Sequence, residues 1–209
     1  MQIVLNYLEQ NYKTGEPIFI SDIHIDGVSD DNLKQSLKRL VDAGKVERFE
    51  KGIYYLPRES RLRSGYRLSA DIVAKYKYIS RHGRVMGYYS GHTFANQLGL
   101  SNQVPMKVEI VSNESAPVVR DVVLGKQTFT VRKARIPVNE ENYKVLQLLE
   151  LLKDIEQYDD GSAEETEERI RKYIINSKIT RKDVDRYIEA FPIKIYKSIY
   201  DMRLDYVFA

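Results

Sequence analysis

Ser29-Asp-Asp-Asn-Leu-Lys-Gln-Ser-Leu-Lys-Arg-Leu-Val-Asp-Ala-Gly-Lys-Val-Glu-Arg-Phe-Glu-Lys-Gly-Ile-Tyr-Tyr-Leu-Pro57 decides how the N-terminal part of this 209-residue chain is read. Ser29 is a good N-cap, because its hydroxyl can accept from the free N–H groups of a first helical turn. Asp30 and Asp31 suit the positive end of the helix dipole. Leu33, Leu37, Leu40 and Val41 recur at i, i+4, i+7 and i+8, which places them in one apolar stripe. Gly44 ends the helix, since glycine takes the left-handed C′ conformation without steric penalty. Val46 to Glu50 then alternates, Lys51-Gly52 supplies a turn, and Ile53 to Leu56 returns before Pro57 stops the pairing.

Helix, tight turn and hairpin together predict a winged helix-turn-helix, the layout that sets one helix into a DNA major groove. With the stripe inward, Asp31, Asn32, Gln35, Lys38, Arg39 and Asp42 point outward. Asn and Gln bond adenine edges bidentately and Arg bonds guanine, so Asn32, Gln35 and Arg39 are the candidate base contacts. Lys38, Arg48 and Lys51 are candidate phosphate contacts. The acidic start of the helix opposes phosphate unless Asp30 and Asp31 serve as caps or accept from cytosine amino groups.

Residues 58–84 strengthen the phosphate reading, with eight Arg or Lys against Glu59 and Asp71. Neutralising phosphates releases counterions, so a basic block beside a wing favours duplex DNA. Arg58, Arg61, Arg63 and Arg67 therefore join the candidate phosphate contacts. Residues 153–168 have the opposite balance, Lys153 against eight carboxylates, and within them Tyr158 to Glu168 reads as an exposed linker grading into a helix start.

Outward from there, Met1 to Tyr12 reads as a first helix, Pro17 to Ile20 as a short strand, and Ser21 to Ile25 as a brief second helix. Ser69 predicts a helix to about Ser80 with Ile72, Val73, Tyr76 and Ile79 inward. Val85 to Tyr89 reads as a strand and Gly91 to Leu98 as a short helix ended by Gly99. Met106–Ser112, Val118–Leu124 and Thr128–Lys133 read as strands, with Gly125-Lys126 as a hairpin turn. Asn139 is the expected cap of a helix through Val145, Leu146, Leu148, Leu149 and Leu152. Thr180 to Asp183 fits a capping box, and Pro192 is placed at the first position of a last helix. The fold class expected is α+β: a winged helix-turn-helix over 1–58, a basic connector and helix over 59–84, and a second α+β domain over 85–209. That second domain has a small, mostly antiparallel sheet and a helical C-terminus.

Composition narrows the function. A hydrophobic fraction of 43% supports a core, and no run approaches the roughly 20 apolar residues that span a bilayer. No signal-peptide pattern opens the chain, so a soluble, cytoplasmic protein without membrane contact is expected. The absence of cysteine excludes disulfides, thiol catalysis and thiolate zinc sites. His24, Asp26, Asp30 and Asp31 lie close in sequence, but capping accounts for the two aspartates and a turn for His24. His82 and His92 lack a third zinc ligand. No phosphate-binding or nucleophile motif is present, so neither catalytic residues, nor a metal, nor a cofactor is expected. Of the 16 tyrosines, Tyr88, Tyr89, Tyr196 and Tyr200 read as edges of the core.

A second stretch is more specific. Ser90, Gly91, Ala95, Leu98, Gly99, Leu100, Gln103, Val104 and Pro105 carry the pattern Ser-Gly-x-x-x-Ala-x-x-Leu-Gly-Leu-x-x-Gln-Val-Pro. With the winged region before it and the strands around Arg120, Gly125 and Arg132 to Arg135 after it, residues 1–155 resemble the AbiEi family. These are antitoxins and autoregulators of AbiE-type, type IV toxin–antitoxin systems. The resemblance implies that the N-terminal domain binds operator inverted repeats and represses its own operon. It implies that the C-terminal domain counters a nucleotidyltransferase-like toxin, with direct contact left open. No heptad seam argues for a stable dimer, and a monomer in solution is expected. The alternative reading is a protein–protein interaction module whose winged helix is structural and has no DNA role.

Overall fold

The computed structural model describes residues 1–58, 66–103, 105–158 and 162–208. By its contacts the chain divides into two units, Met1–Val73 with Leu124–Lys126, and Ala74–Val123 with Gln127–Ala209. Helices and small, mostly antiparallel sheets make the fold α+β with a helical C-terminal part. Among the described residues no helix is long and apolar enough to cross a membrane.

The first unit runs α1 (Gln2–Asn11), β1 (Ile18–Phe19), a 3-10 turn (Ile20–Asp22), α2 (Asp30–Asp42), β2 (Glu47–Glu50) and β3 (Ile53–Tyr55). The expected second helix over 21–25 is only that single turn, and the chain is extended again at Ile23. The strands pair antiparallel in the order β1-β3-β2, with Ile18 opposite Tyr54 and Arg48 opposite the same residue from the other side. The register shifts between Arg48 and Glu50, leaving Phe49 as an irregularity that twists the hairpin. Gly52 holds its turn at φ +83°, where a side chain would be strained. Val4 and Leu8 of α1 pack with Leu33, Leu37 and Leu40 of α2 and with Ile18, Val46 and Tyr54 of the sheet.

The helix expected from Ser69 departs from the sequence reading. Ser69 caps as expected, its hydroxyl accepting from the Ile72 N–H at 3.3 Å. The helix, however, is α-helical only over α3 (Ala70–Ala74) and continues as a π-helical turn over Lys75–Ile79. The wider turn shifts the phase of the buried face, so Val73, Ala74, Tyr78 and Ile79 are inside while Ile72 and Tyr76 are only half-buried. A short hairpin, β4 (Ser80–Arg81) and β5 (Arg84–Val85), precedes β6 (Gly87–Tyr89) and α4 (Gly91–Gln97).

The larger sheet adds β7 (Val108–Ser112), β8 (Arg120–Leu124) and β9 (Gln127–Lys133) in the order β6-β7-β9-β8. β6 and β7 are antiparallel, whereas β7 and β9 are parallel. Tyr88, Val111 and Arg132 are therefore neighbours across three strands. Against these packs α5 (Tyr143–Leu152), in which every residue from Val145 to Leu152 is buried. Helices apolar on all sides belong in the middle of a core. α6 (Ala163–Ser177), α7 (Arg181–Tyr187) and α8 (Lys194–Asp201) surround it, contributing Ile170, Ile174, Val184, Ile195 and Ile199.

Hydroxyl caps from the preceding residue open α2, α3, α6 and α7. Ser162 accepts from the Glu165 N–H, and Thr180 with Asp183 forms the predicted capping box. Two expectations are corrected. Asn139 accepts from the N–H groups of Glu141 and Asn142, each at 3.0 Å, in a turn that precedes α5. Pro192 lies before the helical residues of α8, its carbonyl accepting from the Ile195 N–H at 3.1 Å.

Candidate nucleic-acid interface

The outward face of α2 follows from its capping and its stripe. The Ser29 hydroxyl accepts from the Asn32 N–H at 3.4 Å, and Leu33, Leu37 and Leu40 are buried. Rotation of about 100° per residue then turns Asn32, Gln35, Lys38 and Arg39 to the surface, and all four are exposed. Gln35 and Arg39 stand one turn apart, at i and i+4. Asp30 and Asp31 occupy the first turn, where they suit the helix dipole, and Asp31 pairs with Lys34 at 3.2 Å.

The hairpin supplies Arg48 and, at its turn, Lys51, both exposed. Arg48 Nε donates to the Glu50 carbonyl at 3.3 Å, which bridges the strand irregularity. Beyond β3, Arg58 lies over the Tyr66 ring at 6.0 Å, and the Tyr66 hydroxyl donates to the Gly15 carbonyl at 3.2 Å. Tyr66 also meets Tyr55 edge-on, with ring centroids 6.1 Å apart. Burial together with a short hydrogen bond to the Glu47 carboxylate pushes the Tyr55 hydroxyl up to about 12. Arg58 is thus held by the first unit, and Arg67 is exposed. Arg61 and Arg63 lie outside the described residues.

The Ser90 to Pro105 pattern has a physical basis in the second unit. Gly91 opens α4 at φ +56°, and an added Cβ would stand 2.2 Å from the Glu109 carboxylate. That carboxylate accepts from the His92 N–H at 3.0 Å, capping the helix from a neighbouring strand. Ala95 is fully buried and Leu100 nearly so. Gly99 ends the helix at φ +74°, and a Cβ there would meet the Arg169 guanidinium at 2.2 Å. The Asn96 amide donates to the carbonyls of Ser101 and Gln103, closing the loop back on the helix. Val104 lies outside the described residues.

Sequence reading missed the buried charges. Glu150 is 3% exposed within Leu148-Leu149-Glu150-Leu151-Leu152, paired with Arg132 at 2.8 Å and Lys153 at 3.0 Å. Burial alone would raise its pKa; Arg132 and Lys153 outweigh that and hold it below the ordinary value. The available signal was a carboxylate interrupting an apolar run that is buried on all sides. Just before the acidic linker, Ile155 and Tyr158 are buried and Asp154 pairs with Lys153 and Lys194 at 2.6 Å and 2.8 Å, and the helix start expected at its end is α6, with Glu164 and Glu165 in its first turn. Residues 159–161 lie outside the described residues. Of the four tyrosines read as core edges, Tyr88 is buried and Tyr89 half-buried, but Tyr196 and Tyr200 are 47% and 75% exposed. Each follows a buried isoleucine, Ile195 or Ile199, by one residue and so stands about 100° around α8 from it.

No curated protein matches the chain. A family model does match, over residues 4–182, and so runs through both units. The chain belongs to DUF6088, a family of unknown function.

Proposed function

We propose that the N-terminal unit is a winged helix-turn-helix that binds duplex DNA, and that the protein acts as the autorepressing antitoxin of a toxin–antitoxin system. The observation that carries the DNA half is the outward face of α2. Asn32, Gln35, Lys38 and Arg39 are exposed together over a buried leucine stripe, beside a hairpin that ends in Lys51. In this reading Asn32, Gln35 and Arg39 contact base edges, and Lys38, Arg48, Lys51, Arg58, Arg61, Arg63 and Arg67 contact phosphate. The antitoxin half rests on the likeness of Ser90 to Pro105 to AbiEi proteins, with a nucleotidyltransferase-like toxin as functional partner. No catalytic role is assigned to the chain.

A transcriptional reporter fused to the DNA upstream of the gene tests repression, and co-expression with the adjoining gene tests neutralisation. Repression lost in Arg39→Ala and growth rescued from a toxic neighbour are the expected results. An unrepressed reporter removes the first half, and an unrescued toxic neighbour removes the second.

The exposed Tyr196 and Tyr200 favour one other reading, an interaction module without DNA affinity. Tyrosine gives large contact area at small entropic cost, so such a surface suits a protein partner. That reading expects tight co-purification with a partner and no duplex binding.

A further inference from the structure

The second unit holds a cleft of about 340 Å³, lined by the π-helical turn, β6, α4 and α5. This volume falls within the usual range for small-molecule sites, about 300–1,000 Å³. The π-helical turn contributes Lys75 and Ile79, and single π-helical turns recur where a fold builds a site. β6 lies directly on that turn: a Cβ at Gly87 would stand 2.2 Å from the Tyr78 carbonyl oxygen. The wall is thereby preformed rather than open to collapse.

The chemistry of the lining is distinctive. Its apolar surface is largely aromatic, from Tyr89, Phe94 and Tyr143. The Gln147 amide is already committed, donating to the Tyr89 carbonyl at 2.8 Å and accepting from the Tyr173 hydroxyl at 3.0 Å. The Lys75 ammonium, the Ser80 hydroxyl, the Gln97 amide and the Tyr143 hydroxyl have no hydrogen-bond or ion-pair partner among the described residues. Among the described residues no carboxylate lines the cleft. The neighbouring groove of about 540 Å³ is different, with Glu165 and Glu168 in its wall and Lys172 already paired to Glu168.

We propose that this cleft binds a small planar aromatic anion, its ring against Tyr89, Phe94 and Tyr143 and its carboxylate on Lys75. Ring burial supplies the contact area, and the unpaired cation supplies the sign preference, because no acidic side chain competes for it. The hydroxyls of Ser80 and Tyr143 and the Gln97 amide are the remaining groups that orient the ligand. The assignment is independent of DNA binding and of any antitoxin role, since every residue it uses lies in the second unit.

The test is a ¹⁵N–¹H correlation titration of the full chain with indole-3-carboxylate, with neutral indole and acetate as separate arms. Saturable shifts grouped on Lys75, Ser80, Tyr89, Gln97 and Tyr143 at sub-millimolar ligand are expected, with acetate silent. Lys75→Ala, at an exposed position, should weaken the carboxylate about fivefold and leave indole unchanged, an increment typical of one solvent-accessible charge contact. Tyr143→Ala should weaken both ligands about tenfold, the loss of one aromatic contact. If that variant unfolds, Tyr143→Leu keeps the apolar bulk and is expected to weaken both ligands too. Shifts that do not saturate at millimolar ligand, that group elsewhere, or that ignore Lys75→Ala overturn the proposal.

Discussion

Glu109 accepts the His92 N–H at 3.0 Å through the space that a side chain at Gly91 would fill. The Ser-Gly pair is thus fixed by a carboxylate on β7 and not by α4 alone. Gly91→Ala adds a left-handed residue costing about 1–2 kcal/mol and displaces the capping carboxylate. A loss of about 2 kcal/mol, or roughly 6 °C in Tm, is expected by thermal unfolding. Glu109→Gln, which keeps an acceptor, should cost less than half as much. Gly91→Ala with wild-type stability would contradict this account of the motif.

Glu150 should be the most sensitive charge in the second unit. Replacing it with Gln leaves Arg132 uncompensated at a largely buried position and Lys153 with Asp154 alone, and about 3 kcal/mol of stability should be lost. Its pKa is lowered in the folded state. The stability it adds is therefore complete above the unfolded value of about 4.3, and disappears as pH falls through the lower folded value. Urea unfolding of both proteins across this range should show the difference shrinking with acid. A gap that stays constant with pH would show that the charge of Glu150 is not its source.

Ser29→Ala removes the side-chain acceptor at the start of α2, a change worth about 1 kcal/mol. Ser29→Asp retains the cap and should hold wild-type stability in a urea midpoint. Equal stability of all three would mean that the cap is idle.

On DNA, the two contact classes should separate. Arg39→Ala should relax preference at one base pair, costing about 1–3 kcal/mol on the preferred site alone. Lys51→Ala should weaken all duplexes alike and reduce the slope of log K against log salt by about 1. Anisotropy titrations at several salt concentrations distinguish them; identical behaviour of the two variants would contradict the division of roles.

The first unit was legible because local signals agreed. The Ser29 cap, the leucine stripe, Gly44 and the Lys51-Gly52 turn each specify one conformation, and all four are found. The π-helical turn was not legible, since the spacing of Ile72, Tyr76 and Ile79 fits an α-helix better than the turn the strands impose. The parallel pairing of β7 with β9 was equally hidden, because period-two alternation reports a strand but not its neighbour. The cleft beside β6 takes part of its wall from the π-helical turn, and Glu150 takes its partner Arg132 from β9. The exposed tyrosines of α8 show a limit of another kind: spacing identifies a helix face, and only packing shows which face is covered.

The central claim is that α2 and its hairpin read duplex DNA. The most direct measurement is fluorescence anisotropy of the purified full chain on the duplex upstream of its own gene and on a shuffled duplex, at about 0.15 M salt, where non-specific binding is already weak. At least a hundredfold preference for the upstream duplex, lost in an Asn32→Ala, Gln35→Ala, Arg39→Ala triple variant of unchanged stability, is the expected result. Equal affinity for both duplexes, or a preference that survives the triple variant, would contradict it.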